Sequence, residues 1–345
     1  MRTMERILII KLSAIGDVVQ TLPALEAIKR ALPDSRIDWV VEEAAAGILE
    51  GHPLIDRLLV SRRKTWFRLL KRPNTFLQGS RELKNFISEL KKVRYDMAID
   101  FQGLLKSGIV MGLARADRKI GYAGSREFSS LFLNERLPAY DIERHALERY
   151  LDIARYLGAV DPSSVCVLPI DLEKKLIRER LSIAVSKNER IVVLNPMARW
   201  QTKLWPEEKF SQLADRLISE RRAAVIFTGS TNDREVIDRI MGMMKRRALN
   251  WAGDTTLKEL AALASIADLF ITTDTGPMHL AAAAGGRVLA LFGPTAPWRT
   301  GPFGSGHKVV RKGLDCSPCY QRSCRIDGRC MTSLSVDDVM DHLPF

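Results

Sequence analysis

Residues 6–32 read RILIIKLSAIGDVVQTLPALEAIKRAL, and this stretch decides the fold of the N-terminal half of the chain. The continuous apolar run at 6–11 is typical of a strand that is buried on both faces of a parallel sheet. After a turn at 12–16, apolar residues at helical spacing predict a helix over 17–31. A strand that leads directly into a helix is the repeating unit of an α/β domain.

The same alternation continues along the chain and restarts once. In the first half we predict strands at 37–41, 97–101 and 119–122 and helices at 82–93 and 103–114. A charged stretch at 171–190 is interpreted as the linker region. Beyond it we predict strands at 191–195, 223–228, 269–273 and 288–292 and helices at 207–221, 232–246, 257–265, 277–284 and 335–343.

These elements predict an α/β fold of two doubly wound, Rossmann-like domains that face each other across a cleft. The domains are expected at 1–170 and 171–345, and the last helix is one that can pack back on the first domain. A chain of 345 residues is long enough for two such cores. Ligands of such sheets bind beyond the carboxyl ends of the strands, so candidate site residues are sought there.

Composition places the chain among globular proteins, with 46% hydrophobic and 27% charged residues. No apolar run reaches the roughly 18 to 20 residues that a membrane-spanning helix needs. Residues 1–5 are charged and lack the long apolar region and cleavage site of a secretory signal. We therefore expect the protein in the cytoplasm.

The net charge of +12 is concentrated in one segment. Residues 57–94 hold twelve Lys or Arg and two acidic residues, so this segment accounts for ten of the twelve excess charges. A basic segment favours a phosphate-rich partner. The competing interpretation is a solvated helix face, but interleaved apolar residues such as Trp66 and Phe67 favour a binding surface.

The strongest local signal is the octapeptide Thr272-Thr273-Asp274-Thr275-Gly276-Pro277-Met278-His279. A predicted strand ends at Thr273, and Pro277 suits the first position of a helix. The free N–H groups of a helix N-terminus suit a pyrophosphate, which His279 on the first turn could also reach. Asp274, at the strand tip, could accept hydrogen bonds from sugar hydroxyls. The alternative is an ordinary helix cap with a structural histidine.

A second candidate loop is Asn195-Pro196-Met197-Ala198-Arg199-Trp200-Gln201-Thr202-Lys203-Leu204-Trp205-Pro206. It follows the carboxyl end of a predicted strand. Lys203 there could neutralise a departing diphosphate, although a surface lysine is the competing interpretation.

A third candidate loop is Lys11-Leu12-Ser13-Ala14-Ile15-Gly16-Asp17, which opens the first helix. Asp17 is a candidate general base, and it is equally a candidate helix cap. A carboxylate at a helix N-terminus is stabilised in its charged form, so both roles are compatible. The loop lacks the Gly-x-Gly-x-x-Gly fingerprint, which argues against a Rossmann dehydrogenase. Near residue 230, Asn232 and Glu235 have capping-box spacing, and the intervening Asp233 is a candidate ribose contact.

Together these motifs resemble glycosyltransferase family 9, the lipopolysaccharide heptosyltransferases. The resemblance is carried by residues 9–17, Thr21-Leu22-Pro23-Ala24-Leu25, residues 274–279 and Phe292-Gly293-Pro294-Thr295. Within the family the chain is most similar to the heptosyltransferase I group, through DWVVEE at 38–43, DFQGLLKS at 100–107, Arg126-Glu127 with Ser129 and Ser130, and HALER at 145–149.

The resemblance implies a GT-B fold with the acceptor on the N-terminal domain and the donor on the C-terminal one. It implies an inverting, metal-free transfer of heptose from ADP-heptose to Kdo-modified lipid A in the lipopolysaccharide inner core. Asp17 is then the base and Lys203 the leaving-group stabiliser. The implied donor contacts are Asp274, Thr275, Gly276, Met278, His279, Asp233 and Ala198, and the implied acceptor contacts are Ser13, Gly16, Gln102, Lys106, Arg62, Arg63, Lys64 and Arg126.

The acceptor implied by this family carries phosphates and carboxylates in the inner leaflet of the cytoplasmic membrane. Basic residues of the 57–94 segment would attract them: Arg62, Arg63, Lys64, Arg68, Lys71 and Arg72. Trp66 and Phe67 are expected to dip into the interface. We therefore expect peripheral, reversible membrane contact.

Five cysteines raise a separate question. Cys166 stands alone in an apolar stretch and is expected to be buried. The other four form Cys316-x2-Cys319-x4-Cys324-x5-Cys330, and they could close one structural metal site. The later spacings are not those of a common zinc module, and we expect no part for this cluster in the transfer step.

Three alternatives stay open. Another family 9 enzyme could add a later heptose or a different sugar. A sugar-nucleotide epimerase shares the expected architecture. A nucleic-acid-binding protein would use the basic segment, but no helix-turn-helix, RNA-recognition or zinc-finger signature supports it.

Overall fold

A computed structural model describes residues 4–163 and 166–345. The chain divides into two compact units, Met1–Cys166 and Val167–Phe345. Each unit contains a six-stranded parallel sheet, so the predicted α/β fold class is confirmed. Residues 1–3, at the charged start from which we expected no secretory signal, lie outside the described residues. Within the described ranges, no helix has both the length and the apolar character needed to cross a membrane.

The first sheet has the strand order β3-β2-β1-β4-β5-β6. Its strands are β1 Arg6–Ile10, β2 Arg36–Glu42, β3 Arg57–Ser61, β4 Arg94–Asp100, β5 Arg115–Tyr122 and β6 Glu135–Leu137. The chain runs outward from β1 to β3 and then returns to place β4 on the other side of β1. The carboxyl ends of β1 and β4 therefore form a topological switch point, where such sheets bind ligands.

The helices of the first unit are α1 Ile15–Ala31, α2 Glu43–Leu49, α3 Arg63–Leu70, α4 Phe76–Lys91, α5 Leu105–Leu113 and α6 Ala146–Tyr156. Helices α4 and α5 contribute Leu90, Val110 and Met111 to a core cluster with Leu8 and Ile10 of β1. Helix α6 packs against α1. This contact places residue 150, on α6, next to α1, whose first turn contains Asp17.

The second sheet repeats the plan with the order β12-β11-β10-β7-β8-β9. Its strands are β7 Arg190–Asn195, β8 Ala223–Phe227, β9 Leu249–Asn250, β10 Leu269–Thr273, β11 Val288–Phe292 and β12 Lys308–Arg311. The helices are α7 Asp171–Ala184, α8 Glu207–Arg221, α9 Arg234–Gly242, α10 Leu257–Ile266, α11 Gly276–Ala283, α12 Pro297–Thr300, α13 Arg329–Thr332 and α14 Val336–Met340. Its switch point lies between β7 and β10, the strands that precede Lys203 and Asp274.

The charged stretch at 171–190 is not a linker, contrary to our interpretation. Most of it forms α7, which packs on α10 and buries Ile177 and Leu181. These two residues are four positions apart and so lie on one face, while the charged residues occupy the rest of the helix surface. The boundary between the two units falls earlier, after Cys166.

The terminal helix α14 belongs to the core of the second unit. Val336, Val339 and Met340 are buried in the same cluster as Leu217 of α8, and Arg216 of α8 pairs with Asp337 at 2.6 Å. We had allowed for this helix to pack back on the first domain. Its buried apolar residues lie in the core cluster of the second unit.

Candidate active site

At the carboxyl edge of the second sheet, a lysine and a threonine share one carboxylate oxygen. Asp274 directly follows β10, Lys203 lies at the end of the loop after β7, and Thr295 follows β11. Lys203 Nζ and Thr295 Oγ1 each donate a hydrogen bond to Asp274 Oδ2 at 2.5 Å. Asp274 is only 6% exposed, so the carboxylate is satisfied by these neighbours rather than by water.

Lys203 is held from a second direction by an aromatic ring. Its Nζ lies 4.6 Å from the centroid of the Trp200 ring, within cation–π range. The Lys203 side chain retains 15% exposure. The ammonium is therefore held between the Asp274 carboxylate and the Trp200 ring, and the side chain is not fully buried.

Helix α11 begins immediately beside this carboxylate. Thr275 is the N-cap residue, with extended backbone, and Pro277 occupies the first turn. Gly276 and His279 are half-buried on the same turn, whereas Met278 is fully buried in the core. At the N-terminus of a helix, the first backbone N–H groups have no intrahelical partner, so they are available to bind an anion. The octapeptide thus forms a strand end, a carboxylate and a helix N-terminus, as its spacing predicted.

Two other expected donor contacts have different surroundings. Asp233 Oδ2 accepts hydrogen bonds from the Ser230 N–H at 2.7 Å and the Ser230 hydroxyl at 2.6 Å. The capping box is therefore formed by Ser230 and Asp233, and our prediction of a box between Asn232 and Glu235 is wrong. The chain turns into its helix two residues earlier than the spacing suggested. Ala198 lies half-buried in the loop between β7 and Lys203.

At the switch point of the first unit, Asp17 occupies the third position of α1. Its Oδ2 accepts the backbone N–H of Ala14 at 3.0 Å, and its Oδ1 accepts a hydrogen bond from Tyr150 Oη at 3.3 Å. The first contact is a helix-capping bond, so the capping interpretation is confirmed. The second contact comes from Tyr150 of α6.

A buried lysine stands behind Tyr150. Lys11 Nζ donates to Tyr150 Oη at 2.7 Å and to the carbonyl of Phe101 at 3.0 Å. Burial lowers the pKa of Lys11 to about 8, although the carboxylates of Asp17 and Asp100 act to raise it. Burial, and next the charge of Asp17, raise the pKa of Tyr150 well above its usual value. Tyr150 is therefore a protonated donor to Asp17 throughout the physiological range.

The expected acceptor residues near Asp17 either belong to the 11–17 loop or form hydrogen bonds with it. Gln102 Oε1 accepts the N–H groups of Leu12 and Ser13, at 3.2 and 2.9 Å, so Gln102 supports the Asp17 loop. Lys106 donates to the Ser13 hydroxyl and pairs with Glu42 at 2.9 Å. Gly16 is buried in the first turn of α1.

The basic segment contains α3 and α4. The basic side chains expected to contact the acceptor include two that form ion pairs and several that are exposed to solvent. Arg62 pairs with Glu43 at 3.2 Å, and Arg63 with Glu42 at 3.5 Å. Lys64, Arg68, Lys71 and Arg72 are exposed, as is Arg126 on a separate loop.

Only one of the two aromatic residues is available to an interface. Phe67 is 55% exposed, but Trp66 is only 6% exposed and packs on Phe86 at 5.1 Å between ring centroids. The expectation that Trp66 dips into a membrane is therefore wrong, because the indole is used to attach α3 to α4.

The four C-terminal cysteines line one pocket of about 200 Å³. All four are free thiols. Within the described parts of the chain, no set of three or more Cys, His, Asp or Glu is arranged to hold a metal ion. The structural metal that the spacing allowed is therefore not supported. Cys324 Sγ instead accepts the N–H groups of Ile326 and Gly328 at 3.4 and 3.3 Å, and these bonds lower its pKa.

The cysteine loop contacts the loops that carry Thr295 and Lys203. The N–H groups of Cys319 and Tyr320 both donate to the carbonyl of Pro294, next to Thr295. Thr202, next to Lys203, donates through its hydroxyl to the carbonyl of Gln321 at 2.8 Å. Cys166 is buried, as expected, and burial raises its pKa to about 12.

Three residues that complete these sites were not predicted from the sequence. Thr295 belongs to the Phe292-Gly293-Pro294-Thr295 motif, and its position after a predicted strand was a usable signal. Lys11 likewise ends a predicted strand and begins the 11–17 candidate loop, but it was given no role. Tyr150 carried no local signal, because only the packing of α6 on α1 brings it to Asp17.

The fold and these two edges define a class of protein. The class is a two-domain α/β enzyme. In the second unit, a helix N-terminus and a lysine suit a diphosphate. In the first unit, a carboxylate suits the role of a base. The glycosyltransferase family 9 (heptosyltransferase) model matches residues 83–329. The chain belongs to this family.

Individual relatives agree with this placement. Lipopolysaccharide heptosyltransferase 1 of Pseudomonas aeruginosa is 34% identical over 325 residues, which cover 92% of this chain and 87% of that protein. The structure of Escherichia coli heptosyltransferase WaaC with ADP superimposes with a TM-score of 0.75 at 26% identity, covering 97% of this chain and 98% of that one. The WaaC structure with ADP-2-deoxy-2-fluoro heptose has a TM-score of 0.74 at 25% identity, with coverage of 97% and 98%. The GT-B-like fold and the glycosyltransferase assignment are thereby confirmed.

Proposed function

We propose that this enzyme transfers heptose from ADP-heptose to Kdo-modified lipid A, with inversion at the anomeric carbon. The observation that carries the proposal is the shared carboxylate of Asp274, which fixes Lys203 beside the N-terminus of α11. Two kinds of relative support the choice of sugar. The P. aeruginosa protein is a heptosyltransferase 1, and WaaC has been solved with ADP and with a fluorinated ADP-heptose.

The donor is assigned to the carboxyl edge of the second sheet. Thr275, Gly276 and His279 at the start of α11 would bind the diphosphate, and Asp274 the heptose hydroxyls. Lys203 would stabilise the negative charge that develops on the departing ADP. Asp233 and Ala198 complete the donor set as ribose and backbone contacts, and Met278 supports the turn from the core.

The acceptor is assigned to the first unit, where Asp17 is the base. Asp17 takes the proton of an acceptor hydroxyl, and that oxygen attacks the anomeric carbon from the face opposite ADP. The new glycosidic bond forms as the bond to the diphosphate oxygen breaks, and ADP leaves. The hydrogen bond from Tyr150 Oη to Asp17 Oδ1 would fix the orientation of the base.

The remaining residues of the acceptor side are assigned by position. Ser13 and Gly16 lie in the Asp17 loop, Gln102 and Lys106 donate to or accept from Ser13 of that loop, and Arg126 lines a pocket that Asp17 also lines. Arg62, Arg63 and Lys64 begin α3, the helix whose exposed basic residues would contact phosphates of the acceptor and of the membrane surface. We accordingly place the enzyme in the cytoplasm, in peripheral contact with the inner membrane.

The deciding experiment measures ADP release from ADP-heptose with and without Kdo-lipid A. Acceptor-dependent release, with a mass increase of one heptose on the acceptor, is the expected result. Release only with an already heptosylated acceptor would instead establish a later heptosyl transfer. Conversion of the nucleotide sugar without any acceptor would identify an epimerase and overturn the proposal.

A further inference from the structure

The four cysteines of the C-terminal loop line a pocket of about 200 Å³ in the second unit, and the proposed transfer uses none of them. Cys316, Cys319 and Cys324 are exposed, and Cys330 is buried. The thiols also influence one another, since burial, and next the charges of the other three cysteines, raise the pKa of Cys330. A small oxidant in solution can therefore reach several thiols that lie close together.

Cys324 is the thiol of this group that is best suited to react. Its Sγ accepts the backbone N–H groups of Ile326 and Gly328, at 3.4 and 3.3 Å, and these bonds lower its pKa. Burial acts in the opposite direction on Cys330 and Cys166 and raises the pKa of each. The thiolate is the form of cysteine that reacts with peroxides, and exposed thiols of low pKa are oxidised first. Cys324 has both properties.

Arg329, which lines the same pocket, indicates which thiol is placed to react next. Its guanidinium pairs with Asp327 at 2.9 Å, and this contact raises the pKa of the arginine. The charges of Cys316 and Cys324 add to that effect, so one cation lies near both sulfur atoms. Cys316 is also exposed, and it is therefore the thiol best placed to attack an oxidised Cys324.

We propose that Cys324 and Cys316 are a peroxide-responsive pair, in which Cys324 is oxidised first and Cys316 closes a reversible disulfide. The Cys324 thiolate attacks one oxygen of a hydroperoxide and breaks the O–O bond, which forms a sulfenic acid and releases hydroxide or an alkoxide. The Cys316 thiolate then attacks the Cys324 sulfur, and the sulfenic hydroxyl takes up a proton and leaves as water. The two sulfur atoms give up the two electrons that reduce the peroxide. Exchange with a small thiol restores both cysteines.

The segment 317–323, between the two cysteines, contacts both loops of the donor side. Two of its N–H groups donate to the carbonyl of Pro294, which precedes Thr295, and one of its carbonyls accepts the hydroxyl of Thr202, which precedes Lys203. A disulfide joins the two ends of this segment, so it disturbs these contacts and lowers the affinity for the ADP part of the donor. This second step rests on the proposed function, whereas formation of the disulfide does not.

The first test treats the reduced full-length protein with hydrogen peroxide and maps disulfides by mass spectrometry of its peptides. Wild type should form the Cys316–Cys324 disulfide, and dithiothreitol should remove it. Cys324→Ser should form no disulfide in this loop. Its hydroxyl can still accept the Ile326 and Gly328 N–H groups, so the loop should keep its conformation. Cys319→Ser is the matched control, because it removes another exposed thiol of the same pocket and should react as wild type does.

A second variant tests the order of the two steps. Cys316→Ser should stop at the sulfenic acid of Cys324, which dimedone traps as a stable adduct. Peroxide consumption by Cys324→Ser at the wild-type rate would overturn the proposal. So would a wild-type disulfide that excludes Cys324, or a lack of dimedone adduct at Cys324 in Cys316→Ser.

The second test measures the dissociation constant for ADP by calorimetry, with reduced and with oxidised protein. Oxidation should raise that constant in wild type by at least about fivefold, the lower end of the usual coupling between two sites. The same treatment should leave the constant unchanged in Cys324→Ser. Equal constants for the two forms of wild type would reject the link to the donor and leave the disulfide standing. A lack of ADP binding in both forms would reject the proposed donor, and with it this second step.

Discussion

Lys203 Nζ lies 2.5 Å from Asp274 Oδ2, although 71 residues separate the two in the chain. The contact exists because β7 and β10 are hydrogen-bonded neighbours whose carboxyl ends open onto the same edge. In the proposed function Asp274 would have two roles, since the carboxylate that would bind the sugar also holds the lysine that would stabilise the leaving group. Substitution of either residue should therefore affect both the rate of the chemical step and the affinity for the donor.

Lys203→Met should lower kcat by about 10²–10³-fold, because it removes a preorganised charge from the leaving group. The measurement is steady-state ADP release at saturating acceptor. Arg199→Gln is the matched control, since Arg199 is an exposed cation on the same loop. Equal losses in the two variants would mean that loop charge in general, rather than the Lys203 ammonium, supports the reaction.

Thr295→Val should raise the KM for ADP-heptose by about tenfold, through loss of one hydrogen bond to a buried carboxylate. The shape of the side chain is preserved, so the fold should not change. Thr300→Val provides the comparison, because that hydroxyl donates a long 3.4 Å bond to the carbonyl of Ala296. An unaltered KM in Thr295→Val would show that Lys203 alone positions Asp274.

Asp17→Asn should reduce acceptor-dependent ADP release by about 10²–10⁴-fold, the usual contribution of a general base. The dissociation constant for ADP-heptose, measured by calorimetry without acceptor, should stay within about twofold of wild type. The amide can still accept the Ala14 N–H bond, so the first turn of α1 is expected to persist. A large loss of donor affinity would assign Asp17 to binding instead of catalysis.

Stability should depend on the protonation of Lys11. Its pKa is lowered to about 8 in the folded protein from 10.5, so burial penalises the charged form. Below pH 8 both states carry the proton and the full penalty applies. Between about pH 8 and 10.5 the unfolded chain binds more protons than the folded one, so the free energy of unfolding rises with pH.

The pKa shift of Lys11 limits this rise in the free energy of unfolding to at most about 3 kcal/mol between about pH 8 and 10.5. It should be measured by urea unfolding at intervals from about pH 7.5 to 9.5, as the difference between wild type and Lys11→Met. That difference should increase with pH in favour of wild type. A difference that is independent of pH would mean that Lys11 does not titrate in this range.

Triple charge reversal at Lys64, Arg68 and Lys71 should weaken binding to vesicles that contain anionic lipid by at least about tenfold, since each basic residue near such a surface contributes about 1 kcal/mol. Helices α3 and α4 also expose the apolar side chains of Phe67 and Leu77, at 55% and 80%. Sedimentation with phosphatidylglycerol vesicles at several salt concentrations measures the effect.

The control for this experiment reverses three exposed lysines of the second unit, Lys187, Lys245 and Lys308. This variant has the same net charge as the α3 variant. Equal weakening in the two would show that net charge, and not a localised surface, drives association.

Local patterns were sufficient wherever an element is buried on both faces or carries its own boundary signals. Strands β10 and β11 and helix α8 have the bounds that the sequence predicted, because continuous apolar runs and helical periodicity are properties of adjacent residues. At the octapeptide, Thr275 and Pro277 specify the turn into α11 locally, and the helix begins at Gly276, one residue before the predicted start. Charge-dense α7 was misread because its two buried apolar residues are outnumbered by charged ones.

The sequence by itself therefore determined the two α/β halves, the candidate base Asp17, and Lys203 and Asp274 as separate candidates. Only the tertiary structure decided that Thr295 joins that pair, that Trp66 is buried, and that α6 brings Tyr150 to Asp17. The Thr295 and Tyr150 contacts span 21 and 133 positions of the chain. Their formation depends on how parallel strands are ordered and how helices pack, and no window of neighbouring residues contains that information.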